Sequence, residues 1–555
     1  MPRGPSSTVS SYATSTALVP DLLHATPFTR IDREQTKLAI ALAFASGVSG
    51  GLFSEALERA SVAPSRWDPA AFANDLFLSS FVTHCFKIRI GEGEPAFATK
   101  HLTNLLAHPP DDEATIHHRR GIVAELVSRP ELRQRLEELY VGLCRLRALV
   151  EGSATGRPWD LRRRQLDVLG AVKQAFDAMA DGFATARSGL ARLSAFGRRV
   201  QAGEPYTALS DLLEYDEKLA TLNLKVQIGA DGKIRGFELQ SVEQNDANMF
   251  ASPAWKRWLA KVELFVRGYR FDDSEIMARL IDAVFEGIED DVIHFVQLLG
   301  DIEFFLGALG FRDRARAAGL DVCLPALVRP EEPRTLQGLF NPLLLAHGVV
   351  PVPCDLAIHR HDATVLVTGP NSGGKTRLLQ SVGLTQLLAQ SGVFVPARAG
   401  SVALARRLVV SLLQETRADQ SEGRLGMELV RIRELFEHLP PGAMVLLDEL
   451  CSGTNPSEGE EIFELVVRML NRLRPYAFIT THFLGFAARL ERERVIPDLC
   501  FVQVALGADH EPTYQFAPGV ATTSLAGHAA KRLGVSGDQL LALVERNIER
   551  ARAGA

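Results

Sequence analysis

The chain has 555 residues, of which 46% are hydrophobic and 23% charged, and its formal net charge is −6. That length exceeds what a single core holds and predicts several domains, while the composition is that of an ordinary soluble protein. The acidic balance excludes a global basic footprint for nucleic acid, so any such contact needs local patches. Visible candidates are Arg162-Arg163-Arg164, Arg198-Arg199 and Lys256-Arg257, each of which also reads as a solvated helix face.

In chain order, the first 16 residues are rich in Ser, Thr and Pro and lack the basic-then-apolar order of a signal peptide. Residues 1–30 are expected to form a disordered tail. The apolar stretch 38–53 is short and broken by Ser and Gly, which predicts buried helices and no membrane span. From there to residue 327 the pattern is helical: Leu132, Leu136, Leu139, Leu143 and Leu146 recur at spacings of three and four with charges between them. Pro109-Pro110 and 152–158 punctuate it as loops. Residues 224–239 alternate around Gly229-Ala230-Asp231-Gly232 and predict a β-hairpin inserted in the helical part. A long, acidic helical pattern runs over 276–305, and the prolines of 325–342 mark a boundary.

Beyond it, strands at 365–367, 408–412, 445–447, 478–480 and 499–504 alternate with helices, which predicts a mostly parallel sheet, and 538–552 reads as a closing helix. The expected organisation is a tail (1–30), a helical region (31–327) and an α/β domain (328–555). The cysteines Cys85, Cys144, Cys323, Cys354, Cys451 and Cys500 are scattered without a C-x-x-C pair. This argues against a zinc site or disulfide scaffold and fits a reducing, cytoplasmic setting. Cys451 reads as a packing residue.

Two segments carry chemistry. Gly369-Pro370-Asn371-Ser372-Gly373-Gly374-Lys375-Thr376 follows an apolar run and precedes an apolar helix pattern. This is the G-x-x-x-x-G-K-[ST] phosphate loop in its strand–loop–helix setting. Glycines let main-chain amides turn toward a phosphate, and the helix that follows points its positive end at the anion. Lys375 is placed to reach the β- and γ-phosphates of ATP, and the Thr376 hydroxyl to take a position on Mg²⁺. Downstream, Ala443-Met444-Val445-Leu446-Leu447 ends in Asp448-Glu449. A buried parallel strand of this kind brings Asp448 to the metal and Glu449 to the attacking water. ATP hydrolysis follows from that placement.

These residues resemble the MutS family of ATPases. The phrase Val367 to Thr376, with its Pro370-Asn371 pair, is similar to that family's nucleotide loop, and Leu447 to Gly459 is similar to its metal-binding strand and the loop after it. Thr480-Thr481-His482-Phe483 resembles the segment whose histidine senses the γ-phosphate, and Pro512-Thr513-Tyr514, Pro518-Gly519 and Ser524 match its closing strand and turn. Further upstream, Ile116, Arg119, Arg120 and Pro130-Glu131-Leu132-Arg133 look like its helical core, and Asp301 to Phe305 like the end of its lever helices. The resemblance implies an α/β P-loop (ABC-like) ATPase domain after a mostly α-helical core and lever domain. It also implies a homodimer, and DNA as partner in mismatch repair or recombination.

Departures from the family pattern are informative. Phe53-Ser54-Glu55 matches the mismatch-reading wedge formally, but it sits in a helical pattern with too few residues beside it for the mismatch domain. The hairpin is smaller than the family's DNA clamp, and no room follows Ala555 for the nuclease-like tail of one branch. Leu425-Gly426 replace a hydroxyl pair that touches the partner subunit's ATP in relatives, and Pro351-Val352-Pro353 stands where an aromatic often meets adenine. The alternative to a DNA-dependent ATPase is an ATP-gated structural or interaction protein that binds no DNA. A transporter ATPase is the weakest reading, because no Leu-Ser-Gly-Gly stretch lies between Lys375 and Asp448.

Overall fold

The computed structural model describes residues 19–46, 51–152, 158–218, 221–228, 234–243, 273–412, 424–451, 455–508, 511–522 and 535–553. Helices α1 (Arg33–Ser46), α2 (Leu52–Glu58), α3 (Leu78–Cys85), α4 (Thr99–Ala107), α5 (Glu113–Ser128), α6 (Pro130–Glu151), α7 (Pro158–Gly182), α8 (Ala191–Gln201) and α9 (Glu204–Lys218) come first. Strands β1 (Thr221–Ile228) and β2 (Ile234–Glu243) follow, then α10 (Asp273–Val292) and α11 (His294–Ala317). Next come β3 (Ala326–Val328), β4 (Arg334–Leu339), α12 (Pro342–Ala346), β5 (Cys354–Ile358), β6 (Thr364–Thr368) and α13 (Lys375–Gln390). The chain continues through β7 (Ala399–Ala403), β8 (Leu408–Ser411), α14 (Arg424–His438), β9 (Met444–Leu447), α15 (Pro456–Leu473) and β10 (Tyr476–Thr480). It closes with α16 (Leu484–Glu493), β11 (Leu499–Leu506), β12 (Pro512–Pro518) and α17 (Gly537–Ala553).

Two compact units result: Met1–Ser61 with Ala124–Ile302, and Val62–Val123 with Glu303–Ala555. The first is helical apart from the antiparallel pair β1–β2, which occupies the predicted hairpin; its turn lies outside the described residues. Within it α6 buries Leu132, Leu136, Leu139, Leu143 and Leu146, the stripe read from the sequence. Its outer face carries the local ion pairs Arg133–Glu137 (2.8 Å) and Arg135–Glu138 (2.9 Å). Phe53 is buried in α2, so the Phe-x-Glu triplet is part of a helix packed into this unit.

The expected tail needs correcting from residue 19 onward. Leu22 and Leu23 are fully buried, Asp301 accepts from the Leu22 amide at 2.9 Å, and Arg30 pairs with Asp301. An apolar pair and a buried cluster of opposite charges hold this stretch in place; residues 1–18 lie outside the described residues. Two basic clusters each give one residue to internal contacts, while Arg163, Arg198 and Arg199 remain exposed. Arg164 donates to the carbonyls of Leu149 (2.8 Å), Ala43 (3.1 Å) and Val150 (2.6 Å), and Arg199 pairs with Asp291 at 2.6 Å. Lys256-Arg257 fall outside the described residues.

The second unit is built on a six-stranded sheet ordered β12-β11-β6-β10-β9-β8. Strands β11, β6, β10, β9 and β8 run parallel, and β12 joins the edge antiparallel. Strands β6, β9 and β10 are buried at every position, which is why they read as unbroken apolar runs. Helix α13 is buried on nearly all sides. A Cβ built on its Gly383 would lie 2.8 Å from Leu446 of β9 on one hand and 2.8 Å from Leu76 on the other.

That contact explains a difference from the expected division at residue 328. Residues 62–123 cover α13 and belong with the sheet: the Trp67 indole donates to Ala405 O at 3.1 Å, and Asp75 accepts from the Leu412 amide at 2.6 Å. Ile116 and Arg119 belong here as well, with the Arg119 guanidinium 5.2 Å from the Phe304 ring centroid. The stretch read as a proline boundary supplies β3 and β4 of a second sheet, ordered β3-β7-β4-β5.

Helix α11 is the one described helix long and apolar enough to cross a membrane, but 94% of that window is buried inside the protein. It is a core helix. Its second half depends on close approach, since a Cβ on Gly310 would sit 1.8 Å from the Lys87 carbonyl oxygen. Gly310→Ala is therefore expected to destabilise the second unit by at least about 2 kcal/mol. Urea denaturation of the full chain measures this, and an unchanged midpoint contradicts the packing.

Candidate functional site

Strand β6 ends at Thr368, and the chain turns through 369–374 into α13. Two glycines permit that turn. Gly369 has φ +136 and Gly374 φ +83, values that L side chains rarely adopt. At Gly369 an added Cβ would also lie 2.7 Å from the Val504 side chain, so β11 presses directly on the loop. Asn371 and Ser372 are exposed at the crest, in a short 3₁₀ turn that spans Asn371–Gly373.

Lys375 opens α13 and is 3% exposed. Its ammonium donates to Gly369 O (2.9 Å), Pro370 O (3.1 Å) and Asn371 Oδ1 (3.4 Å), so it lies folded inside its own loop. Burial pushes its pKa below the usual lysine range, while the carboxylates of Glu449 and Asp448 oppose that shift. A buried cation beneath an exposed loop crest is an arrangement with the charge to suit a polyanion.

The acidic strand arrives at the same edge. Thr376 Oγ1 donates to Asp448 Oδ2 at 2.5 Å, joining residues 72 apart in sequence. Asp448 Oδ1 accepts from the Thr480 hydroxyl at the end of β10. Both carboxylate oxygens are thus oriented by hydroxyl donors, and the Thr376–Asp448 pair offers the hard oxygen ligands that suit Mg²⁺. Among the described residues there is no group of three or more His, Cys, Asp or Glu that could hold a metal ion.

Glu449 is half-buried, has φ +49, and its amide donates to Thr480 Oγ1 at 2.8 Å. Cys451, at φ +62, donates its amide to Glu428 Oε1 at 2.5 Å. Two left-handed non-glycine residues so close together mark a turn that its surroundings impose. The Cys451 side chain is fully buried in the apolar cluster under β9, and burial pushes its thiol up to about 12. It is a packing residue. His482 is exposed just past β10, with its ring 4.2 Å from that of Phe483.

Around the loop, Pro351–Pro353 brings no aromatic, but Tyr514 on β12 does. It is 48% exposed, and its ring edge would lie 3.4 Å from a Cβ on Gly374. The neighbouring Gln515 donates to Pro353 O at 2.9 Å, which ties the two segments together. The sequence placed Tyr514 in a strand without assigning it to the site; its φ of +59 is the local signal of a special position. Thr480 was likewise given no role. Of the segment 419–428, residues 419–423 lie outside the described residues, and Leu425-Gly426 fall in the first turn of α14. Ser452 to Thr454 and Ser524 also lie outside them.

The family description "MutS domain V" matches residues 365–552, the stretch that holds the loop, the acidic strand and His482. The chain is 32% identical over 273 residues to an "Endonuclease MutS2" of Streptococcus mutans, covering 48% of this chain and 33% of that protein. It is 32% identical over 293 residues to the "Endonuclease MutS2" of Gemmatimonas aurantiaca, covering 52% of this chain and 35% of that protein. The match to the Thermus thermophilus protein of that name is longer: 28% identity over 429 residues, 75% of this chain and 53% of that one. The chain therefore spans between about a third and about half of the length of these relatives.

Proposed function

The chain belongs to the MutS family, and on that footing we propose that it is an ATPase whose ABC-like P-loop domain, residues 328–555, binds ATP with Mg²⁺ and hydrolyses it to switch a dimeric DNA-binding clamp. The observation that carries this reading is the meeting of the loop threonine with the acidic strand, Thr376 Oγ1 to Asp448 Oδ2 at 2.5 Å, beside a buried lysine.

In this reading the amides of Gly369, Pro370's successor Asn371, Ser372, Gly373, Gly374 and Lys375 wrap the phosphates, and Pro370 shapes the turn without an amide proton to give. The Lys375 ammonium exchanges loop carbonyls for β- and γ-phosphate oxygens. Thr376 and Asp448 hold Mg²⁺, which when bound draws charge from the phosphate oxygens. Glu449 takes a proton from the water whose oxygen attacks the γ-phosphorus as the bond to the leaving ADP oxygen breaks. His482 senses the γ-phosphate, and Tyr514, whose ring lies beside Gly374, is the aromatic that would meet the base.

Homodimerisation is supported by α17, where Leu541, Val544 and Ile548 recur at helical spacing and are all exposed. The helical unit, formed by the described residues up to Ser61 and by Ala124–Ile302, acts as core and lever. DNA as partner, in mismatch repair or recombination, is supported by the relatives, which carry the name of an endonuclease. A cytoplasmic setting is supported by six free thiols.

A second reading, an ATP-gated interaction protein without DNA, draws on the chain's own charges. Arg164 and Arg199 are spent on internal carbonyls and on Asp291, and the net charge is −6.

Three outcomes are expected. Glu449→Gln retains ATP binding while turnover falls at least about 100-fold; steady-state hydrolysis measures it, and unchanged turnover removes Glu449 from its role. Lys375→Ala weakens ATP binding at least about tenfold, the loss of charge-assisted hydrogen bonds to phosphate; equal affinity in a direct titration contradicts the loop assignment. Duplex, mismatched or branched DNA binds with a marked salt dependence. Absence of binding to all three at low salt, with ATPase intact, selects the interaction protein.

A further inference from the structure

We propose that Thr480 is a positioning residue that sets both carboxylates of the site through one hydroxyl, a role that rests on the ATPase reading above. Thr480 ends β10, which lies between β6 with its loop and β9 with its acidic exit. Its residue is fully buried. A threonine hydroxyl has one proton to donate and lone pairs to accept with. Here the proton goes to Asp448 Oδ1, and the oxygen accepts the Glu449 amide at 2.8 Å.

The consequence for Asp448 is a fixed carboxylate plane. With Oδ1 held by Thr480, Oδ2 faces the Thr376 hydroxyl at the start of α13, 2.5 Å away. The Asp448 amide is itself bound to Ser411 O at 2.9 Å, so that amide is not spent on its own carboxylate. For Glu449 the consequence is backbone direction. Its left-handed conformation, φ +49, aims the side chain away from the path a regular strand end would give. The bond from its amide to Thr480 fixes that turn, and Glu428 fixes the next left-handed residue through the Cys451 amide at 2.5 Å.

The neighbouring Thr481 does something different. Its hydroxyl accepts from the Phe483 amide at 3.1 Å and shapes the turn that carries His482. Thr480 alone of the pair touches the acidic residues. Groups that orient a metal ligand in this way typically alter metal affinity or activity about 10–100-fold when removed.

The test compares the full-length protein with Thr480→Val and Thr480→Ser. Valine keeps the branched shape in the strand and deletes both hydrogen bonds; serine keeps the hydroxyl. Expected for Thr480→Val is a kcat reduced about 10–100-fold and a higher Mg²⁺ concentration for half-maximal activity. The KM for ATP, and ATP binding measured in EDTA, should stay within about threefold, since the loop and Lys375 are untouched. Thr480→Ser should return kcat and the Mg²⁺ requirement to within about threefold of the parent. A thermal melt shows whether each variant folds; if valine does not, Thr480→Ala takes its place with the same expectations. An active parent matched by the hydroxyl-free variant in kcat and Mg²⁺ requirement overturns the assignment, as does a serine variant no better than valine. A parent with no Mg²⁺-dependent ATPase activity refutes instead the reading on which the assignment rests.

Discussion

Everything at the site depends on a rule of parallel sheets: strands that run the same way deliver their carboxyl ends to one edge. Here β6, β10 and β9 are neighbours, with Thr480 opposite Val367 and Ile479 opposite Leu447. The loop threonine, the middle-strand threonine and the aspartate therefore meet without any of them reaching far. The hydroxyl–carboxylate–hydroxyl chain Thr376–Asp448–Thr480 is the direct product of that register. A one-strand change in sheet order would separate Thr376 from Asp448 and leave two unrelated surface motifs.

Around that chain the protein accepts local costs that folding alone does not call for. Lys375 is an ammonium inside the protein, held by its own loop and by the field of two carboxylates. Glu449 and Cys451 occupy left-handed conformations without being glycine, each fastened by a side chain from another element. Gly369 is pinned under Val504. A buried cation, a strained acidic turn and a loop braced from the next strand lie together at one sheet edge, with the acidic residues already oriented and the lysine held by its own loop.

How much of this was legible in the sequence depended on how each segment is buried. Strands with both faces covered wrote themselves as apolar runs: 365–367, 445–447 and 478–480 fall within β6, β9 and β10. The second sheet escaped because its strands are short and mixed. In β4, Gly338 has φ +61 and interrupts the alternation, and β7 is Ala-Gly-Ser-Val-Ala, composition that carries no strand signal. The placement of residues 62–123 on the sheet was hidden for another reason. Helical periodicity shows which face is buried but not against what, and Leu76 meets Gly383 from 307 positions away (383 − 76). At the site, residue types with a motif were visible, whereas Thr480 was not, because a threonine ending an aromatic and apolar strand looks like propensity until its hydroxyl is seen to bridge Asp448 and Glu449.

The central claim is that the edge formed by β6, β10 and β9 receives a magnesium–triphosphate. Isothermal titration of the folded full-length chain with ATP and MgCl₂ tests it most directly. The account predicts a saturable isotherm with one nucleotide per chain, accompanied by a rise in melting temperature that grows with nucleotide concentration. No heat and no thermal shift at millimolar Mg²⁺–ATP would contradict it.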